Sequence, residues 1–344
     1  MKQVLLSFIK MIATKMNQQF HSIDHLIGYH ETQVSEGGEV DLHKHNKGCE
    51  KNPGHTQFIP ANLFEMKHLP DGHQEEDLYE LIKVIADLTV HIEVKMTSKL
   101  RPDCWPGTSN PYPCIELKGK KTMRCGSGRV TSAILCKDKE GGVDKQFTKC
   151  WCTKCQKSGK PNDFWWEFFV ETAAHVIFNE EEASHTILNF FYDYNGSPKV
   201  VLDKVSIYEL STTRDWCRLK CVTCDINLGS RLEQIWTHFS VIWKIVYRKY
   251  RESRDVHKLA FVVSHPHGCS KQISLGCWRE MHKVKEDKQR ASFYFHKFTY
   301  SVSTCPGSSG APVYCVGYSG GTYSHVHSGS SEADLNLSCA CRFL

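Results

Sequence analysis

Three short segments carry residue types suited to nucleophilic chemistry. Thr304-Cys305-Pro306-Gly307-Ser308-Ser309-Gly310-Ala311-Pro312 sets Ser309 in a glycine-rich turn. Thr172-Ala173-Ala174-His175 places His175 just after an apolar, strand-like run, and Cys224-Asp225-Ile226-Asn227-Leu228 offers Asp225. A serine hydroxyl is a weak nucleophile at neutral pH. It needs a base within hydrogen-bond reach, and that base needs a carboxylate to fix its tautomer. The developing oxyanion needs donors, which backbone N–H groups of a tight turn supply, here those of Gly307 and Ser309. Asp203, Asp215 and Asp255 also lie between His175 and Ser309. Asp225 is preferred for its downstream Leu228 and its spacing to Ser309. Ser319, in Gly-Tyr-Ser-Gly-Gly, has a similar shape but lacks the proline and reads as a hairpin between strands. Taken singly, Ser309 reads as an ordinary Gly-Ser loop and His175 as a core histidine.

Together these segments resemble the chymotrypsin-like (trypsin-fold) serine peptidases, over about residues 85 to 344. TAAH is similar to that family's histidine motif, GSSGAP to its nucleophile turn, and CDINL to its aspartate segment. GSGRV, ahead of the histidine, and SHPHG, from Ser264, resemble two further family elements in the family's order. The resemblance implies two six-stranded antiparallel barrels with the three residues in the cleft between them. It is closer to the non-digestive branch: Ser308 stands where digestive enzymes carry Asp, and no Ile-Val-Gly-Gly activation sequence precedes the domain. Such an enzyme needs no zymogen switch and no cofactor. The resemblance also points to Thr304 and His327 as pocket residues, as in glutamyl endopeptidases and viral chymotrypsin-like proteases. The expected preference is Glu or Gln at the residue before the cleaved bond (P1). Ser303 at the base-of-pocket position disfavours Lys and Arg. The plainer reading makes Thr304 and His327 ordinary strand residues.

Cysteines form two groups, Cys150-x-Cys152-x2-Cys155 and Cys217-x3-Cys221-x2-Cys224. Two C-x-x-C pairs suggest a structural zinc site from Cys152, Cys155, Cys221 and Cys224, although their wide separation leaves it to the fold to join them. Disulfides or free thiols are the alternatives. His43, His45, Cys49 and His55 also cluster, at a spacing that matches no standard zinc pattern, and read as a solvated loop.

The elements that must hold these residues are mostly strands. TVHIEVKM alternates, and GSGRVTSAILC, WEFFVETAAHVIF, SHTILNFFYDY and KVVLDKVSIYEL follow at short spacing. After one long amphipathic helix, expected at about 230–253, strands resume from KLAFVVS. The expected class is all-β, with a first barrel at about 85–228, a second at about 256–344, and a loosely ordered extension over residues 1–75. With 344 residues the chain holds about two domains of ~150 residues each. A net charge of +5 not concentrated in one run makes nucleic acid an unlikely partner, and no apolar run is long enough for a membrane span. The expected partner is a protein or peptide substrate. Val4–Ile9 is short for a signal peptide, so the expected location is intracellular, with secretion the alternative. Two rivals stand beside catalysis: an inactive peptide-binding scaffold of the same fold, and a zinc-dependent nucleic-acid binder.

Overall fold

The computed structural model describes residues 28–344 except 138–139, 144–146, 285–294, 319–324, 332–334 and 343–344. Ser319 and the amino-terminal segment up to residue 27 lie outside the described residues.

The chain begins with strand β1 (Gln33–Ser35), helix α1 (Glu39–Lys47) and the two-residue strand β2 (Ile59–Pro60). Helix α2 (Glu76–Leu88) follows, then strands β3 (Thr89–Val94) and β4 (Met123–Lys137). Next come α3 (Thr153–Ser158), β5 (Phe164–Thr172), α4 (Glu180–Ser184), β6 (Thr186–Phe190), β7 (Val200–Leu202), β8 (Val205–Ser211) and β9 (Trp216–Thr223). The long helix α5 (Ile226–Tyr250) and short α6 (Arg254–His257) lead into β10 (Leu259–Ser264), β11 (Gln272–Val284) and β12 (Phe295–Tyr300). Strands β13 (Pro312–Cys315), β14 (His325–Ser330), β15 (Asn336–Ser338) and β16 (Cys341–Arg342) complete the described fold.

Two antiparallel sheets result. The first runs β7-β6-β3-β4-β5-β9-β8, with β1 added on β4. It curves as a half-barrel and does not close as the six-stranded barrel that was expected. The second does close: β12-β15-β14-β13-β10-β11 returns to β12 through the β11–β12 pairing. A bulge between Trp278 and Glu280 lets β11 leave β10 and turn onto β12, as a barrel corner requires. The mostly-β architecture with two barrel-like sheets matches the chymotrypsin-like plan.

Helix α5 starts earlier than periodicity alone indicated, because Asp225 caps it: its carboxylate accepts the N–H groups of Asn227 (2.9 Å) and Leu228 (3.1 Å). Its stripe of Leu232, Phe239, Ile242, Trp243 and Val246 is buried against α2 and the sheets. Helix α2 answers with Leu78, Leu81, Ile82, Ile85 and Leu88, all fully buried at helical spacing. Each such side chain contributes roughly 1.5–3 kcal/mol on burial.

Residues 28–75, expected as a loose extension, are instead built into the body. β1 pairs with β4, β2 pairs with β11, and α1 packs on the 267–269 turn through Leu42, Cys125 and Cys269. Their partners lie some eighty to more than two hundred residues away, so local composition alone could not reveal them.

Candidate active site

His175 leaves β5 through a tight turn, in which Val176 N–H donates to the Ala173 carbonyl. Below it lies a buried charge network. Arg101 donates to Glu182 (2.7 and 2.8 Å) and to the His175 carbonyl (2.9 Å). Arg124 pairs with Glu182 (2.9 Å) and donates to the Val176 carbonyl (3.0 Å). Burial would raise the Glu182 carboxyl, but the two guanidinium groups outweigh it and hold it at about 2.

The carboxylate beside His175 belongs to Asp215. His175 Nδ1 donates to Asp215 at 2.8 and 3.0 Å, and the His175 backbone N–H adds a bond of 3.0 Å. Ser328 Oγ donates to the same carboxylate at 2.5 Å. Burial opposes the charge, yet the His175 ring, with help from His30 and Ser328, holds the Asp215 carboxyl at about 2. Asp215 sits at the end of the loop joining β8 to β9, at φ 53°, a conformation that Asp tolerates better than most side chains. The expectation of Asp225 is therefore corrected: its side chain is occupied as the α5 cap, ten residues further on. With Nδ1–H committed to Asp215, His175 leaves its buried Nε2 without a partner among the described residues.

Ser309 lies in the turn between β12 and β13. The Ser309 carbonyl accepts the Ser127 N–H (2.8 Å), and Gly310 N–H donates to His327 (2.8 Å), tying the turn to both sheets. Gly307 has φ +94°, and a Cβ there would sit 2.7 Å from the His265 carbonyl, so only glycine fits.

Residues 29–31 cross this turn. Tyr29 and Ser330 exchange antiparallel backbone bonds of 2.7 and 2.9 Å. His30 donates from Nδ1 to the Ser328 carbonyl (2.6 Å), and its ring lies 4.7 Å from that of His175. The Glu31 carbonyl accepts from Ser309 Oγ (3.2 Å) and from the Gly307 N–H (3.4 Å). Residues 30 and 31 thus lie between the Ser309 turn and the His175–Asp215 pair, with Glu31 bonded to Ser309 and the His30 ring beside that of His175. Burial first, and the His175 charge second, hold the His30 ring at about 3, so it is neutral at physiological pH.

Thr304 and His327, the residues expected to line a pocket, are both buried and hydrogen-bonded. His327 is fully buried and shares a bond of 2.6 Å between Nδ1 and the Tyr300 hydroxyl, while its Nε2 has no partner among the described residues. Burial pushes its pKa well below the ordinary value. Thr304 Oγ1 donates to Asn336 (2.8 Å). Lys51 Nζ donates to Thr304 (3.2 Å), to Asn336 (3.3 Å) and to the Glu31 carboxylate (2.7 Å). Sequence reasoning missed Asn336 and Lys51; neither carries a local signal.

The cysteine groups meet with one exchange of members. Cys150, Cys152, Cys155 and Cys224 gather, with Cys224 Sγ 3.5 Å from Cys152 and 3.7 Å from Cys155. Cys221, expected as a ligand, points away into the main core and donates to the Phe168 carbonyl. The reason is strand alternation: Cys221 lies on β9 and Cys224 one residue past its end, three positions on, so the two fall on opposite sides of the strand. The N–H of Cys155 bonds Cys152 Sγ and that of Asn162 bonds Cys155 Sγ, both at 3.4 Å. No helix among the described residues is long and apolar enough to cross a membrane.

No protein-family model matches this chain, and no curated protein does. Solved structures do. The chain is similar to the HtrA-type protease AlgW with a decapeptide, at 11% identity and TM-score 0.37, covering 76% of this chain and 62% of that one. It thus spans less than two thirds of that relative's length. It is also similar to the Rv3671c protease from M. tuberculosis in its active form, at 10% identity and TM-score 0.37, covering 78% and 82%. An inactive form of the Rv3671c protease gives 10% identity and TM-score 0.35, covering 76% and 87%.

Proposed function

We propose that the chain is a serine endopeptidase that cleaves after acidic residues. The observation that carries this reading is the His175–Asp215 pair beside the Ser309 turn. Ser309 Oγ attacks a peptide carbonyl while His175 Nε2 takes its proton. Asp215 holds the ring in the Nδ1–H tautomer and stabilises the imidazolium that forms. The N–H groups of Gly307 and Ser309 stabilise the oxyanion. His175 then gives the proton to the leaving amine, and water repeats the sequence to release the acid. No cofactor takes part in these steps.

The acidic preference rests on Lys51 and His327. The Lys51 ammonium sits at the pocket mouth, already bonded to a carboxylate. In the tautomer in which the Tyr300 hydroxyl donates to His327 Nδ1, Nε2–H is left to donate to a carboxylate or amide oxygen of the incoming side chain. Thr304 adds a hydroxyl to the same pocket. The test is labelling with a fluorophosphonate probe, followed by hydrolysis of peptides varied only at P1. Labelling that vanishes in Ser309→Ala, with Glu favoured over Gln and both over Lys, supports the reading. A folded protein whose Ser309 stays unlabelled and which hydrolyses none of the peptides would leave the inactive scaffold as the better description.

We also propose that Cys150, Cys152, Cys155 and Cys224 hold a structural zinc. Tetrahedral zinc with Zn–S near 2.3 Å places sulfurs about 3.8 Å apart, close to the 3.5 and 3.7 Å seen. The two N–H···S bonds would orient these thiolates, the usual office of groups behind a ligand shell. Thiolate ligation requires a reducing compartment, in keeping with an intracellular protein.

A further inference from the structure

We infer that the enzyme's first substrate is its own chain, cleaved in cis between Glu31 and Thr32. This inference rests on the endopeptidase reading above. Residues 29–31 run past the end of β14, where Tyr29 forms an isolated antiparallel bridge with Ser330. Backbone pairing of that kind is how an extended peptide adds to an exposed sheet edge, independent of its side chains. Two glycines make the close approach feasible. A Cβ on Gly28 would strike the Ser330 carbonyl, and one on Gly329 would strike the Tyr29 carbonyl. Beyond the crossing point, Gln33–Ser35 pairs with Met123–Cys125 of β4, so the chain is held on both sides of Thr32.

Between these anchors the Glu31 carbonyl oxygen is directed at the Gly307 N–H, and Ser309 Oγ is hydrogen-bonded to it. That is the carbonyl which a hydroxyl in this turn would attack. The Glu31 carboxylate meets Lys51 Nζ at 2.7 Å and Ser330 Oγ at 3.4 Å, at the mouth of the pocket assigned to acidic side chains. Holding the reacting groups in place in one molecule replaces a bimolecular encounter by a unimolecular step. In the step itself, a bond forms between Ser309 Oγ and the Glu31 carbonyl carbon. The C–N bond to Thr32 breaks, and the Oγ proton passes through His175 to the Thr32 amine. Water then adds across the ester, giving the Glu31 carboxylate and restoring the Ser309 hydroxyl. The products are residues 1–31 and a chain that starts at Thr32 and retains Lys51.

The test is intact mass and amino-terminal sequencing of the purified full chain over time at several protein concentrations. Gly28→Val is run beside it, because the added side chain evicts the strand from the rim. A new amino terminus at Thr32, formed at a rate independent of concentration and absent in Ser309→Ala, supports the inference. Glu31→Lys should slow the reaction by at least tenfold. Gly28→Val should hydrolyse an added peptide Tyr-His-Glu-Thr-Gln while processing itself more slowly than the parent. If Gly28→Val hydrolyses that peptide and labels with the fluorophosphonate, yet the parent chain stays intact, cis cleavage is wrong and the peptidase reading stands. If no variant labels or hydrolyses peptide, the peptidase reading falls and takes this inference with it.

A second, independent observation concerns metal. The geometry points to a Cys2His2 zinc site made by Cys49, His55, His267 and Cys305. Their ligand atoms all lie within 4.8 Å of one another. Cys305 Sγ is 3.5 Å from Cys49 Sγ and 3.5 Å from His55 Nε2. Tetrahedral zinc places a sulfur and a nitrogen about 3.5 Å apart and two sulfurs about 3.8 Å apart. His267 is 4% exposed, its Nδ1 is bonded to Gln33 Oε1 at 2.9 Å, and its Nε2 has no partner among the described residues. A ligand histidine has this arrangement, with one nitrogen fixed by a second group and the other free for the metal. The site would pin residues 49–55 to the nucleophile turn, two residues before Gly307, and so hold Lys51 over the pocket. Elemental analysis of protein made and kept under reducing conditions should give two zinc ions per chain. Cys49→Ser should leave one, and Cys150→Ser should leave the other. Because either variant could fail to fold, cobalt(II) substitution of the parent chain is the second measurement. It should show two tetrahedral centres, with thiolate charge-transfer bands from both a four-sulfur and a two-sulfur site. A single four-sulfur centre, with Cys49 open to thiol reagents, would overturn the assignment.

Discussion

Replacing Asp215 by Asn would keep the size of the side chain but remove the charge that fixes the His175 tautomer. On the general behaviour of such triads, kcat should fall by about 10⁴. Asp225→Asn should leave kcat within a few-fold of the parent and cost at most about 1 kcal/mol of stability, as a changed helix cap does. Side-by-side steady-state kinetics and denaturant melts of the two variants check this; equal losses of activity would return Asp225 to the site. The comparison also shows what was legible. Ser309 and His175 could be singled out as candidates because a Gly-rich turn and a short small-residue motif are themselves the local structure such chemistry needs. The aspartate could not, because its identity depends on which of several loops the sheet carries to the histidine. In TTRDW the deciding features are a positive φ and a bond from Ser328, 113 residues away. At the pocket, Lys51→Met should abolish the preference for Glu over Gln while leaving hydrolysis of Gln peptides within a few-fold. For the parent enzyme that preference should fade as pH falls below about 4.3, where a peptide Glu takes up its proton and loses its attraction to Lys51.

Among the elements, the loop after β5 and helix α4 are bound together by Glu182, Arg101 and Arg124. Removing one member of such a buried group leaves the others charged and unpaired. Glu182→Ala should therefore cost roughly 3–5 kcal/mol and loosen the His175 turn. Glu182 and Asp215 both have carboxyls held at about 2 in the fold, below their ordinary 4.5 and 3.8. A lowered carboxyl stabilises the fold at pH values above its ordinary value and stops doing so as pH drops toward the folded value. Stability should thus fall between about pH 4.5 and 2, and Glu182→Gln should flatten that slope in urea melts taken at successive pH values. Strands and the long helix were readable because their apolar periodicities are local. The two-residue strand β2 and the pairing of β1 were not, because such short elements exist only through their partners on β11 and β4. The exchange of Cys150 for Cys221 has the same origin: spacing suggested a C-x-x-C pair, and strand alternation separated it.

For the whole molecule, α5 is the piece that belongs to both sheets. Its amino-terminal turn meets Trp166 of the first sheet at Gly229, where a Cβ would run into the indole ring. Further along, Trp243 lies 5.7 Å from the Tyr314 ring of the second barrel. Arg129 of β4 is bonded to the Tyr314 hydroxyl and sits over the Phe239 ring at 5.0 Å. Gly229→Ala should consequently destabilise by about 1–3 kcal/mol, as overpacking does, measured by the shift in thermal midpoint. An unchanged midpoint would mean that the helix rides free of the sheet. The sequence showed an amphipathic helix, but not that its stripe spans two units, since nothing in a periodicity says which surfaces will meet it.

That bracing has a mechanical corollary. A brace lying across both halves makes it costly for them to part like jaws. A polypeptide would then reach the nucleophile by sliding edgewise along the rim strand, as a thread is laid on a comb. What limits turnover would be how fast one such thread peels off and the next is laid down.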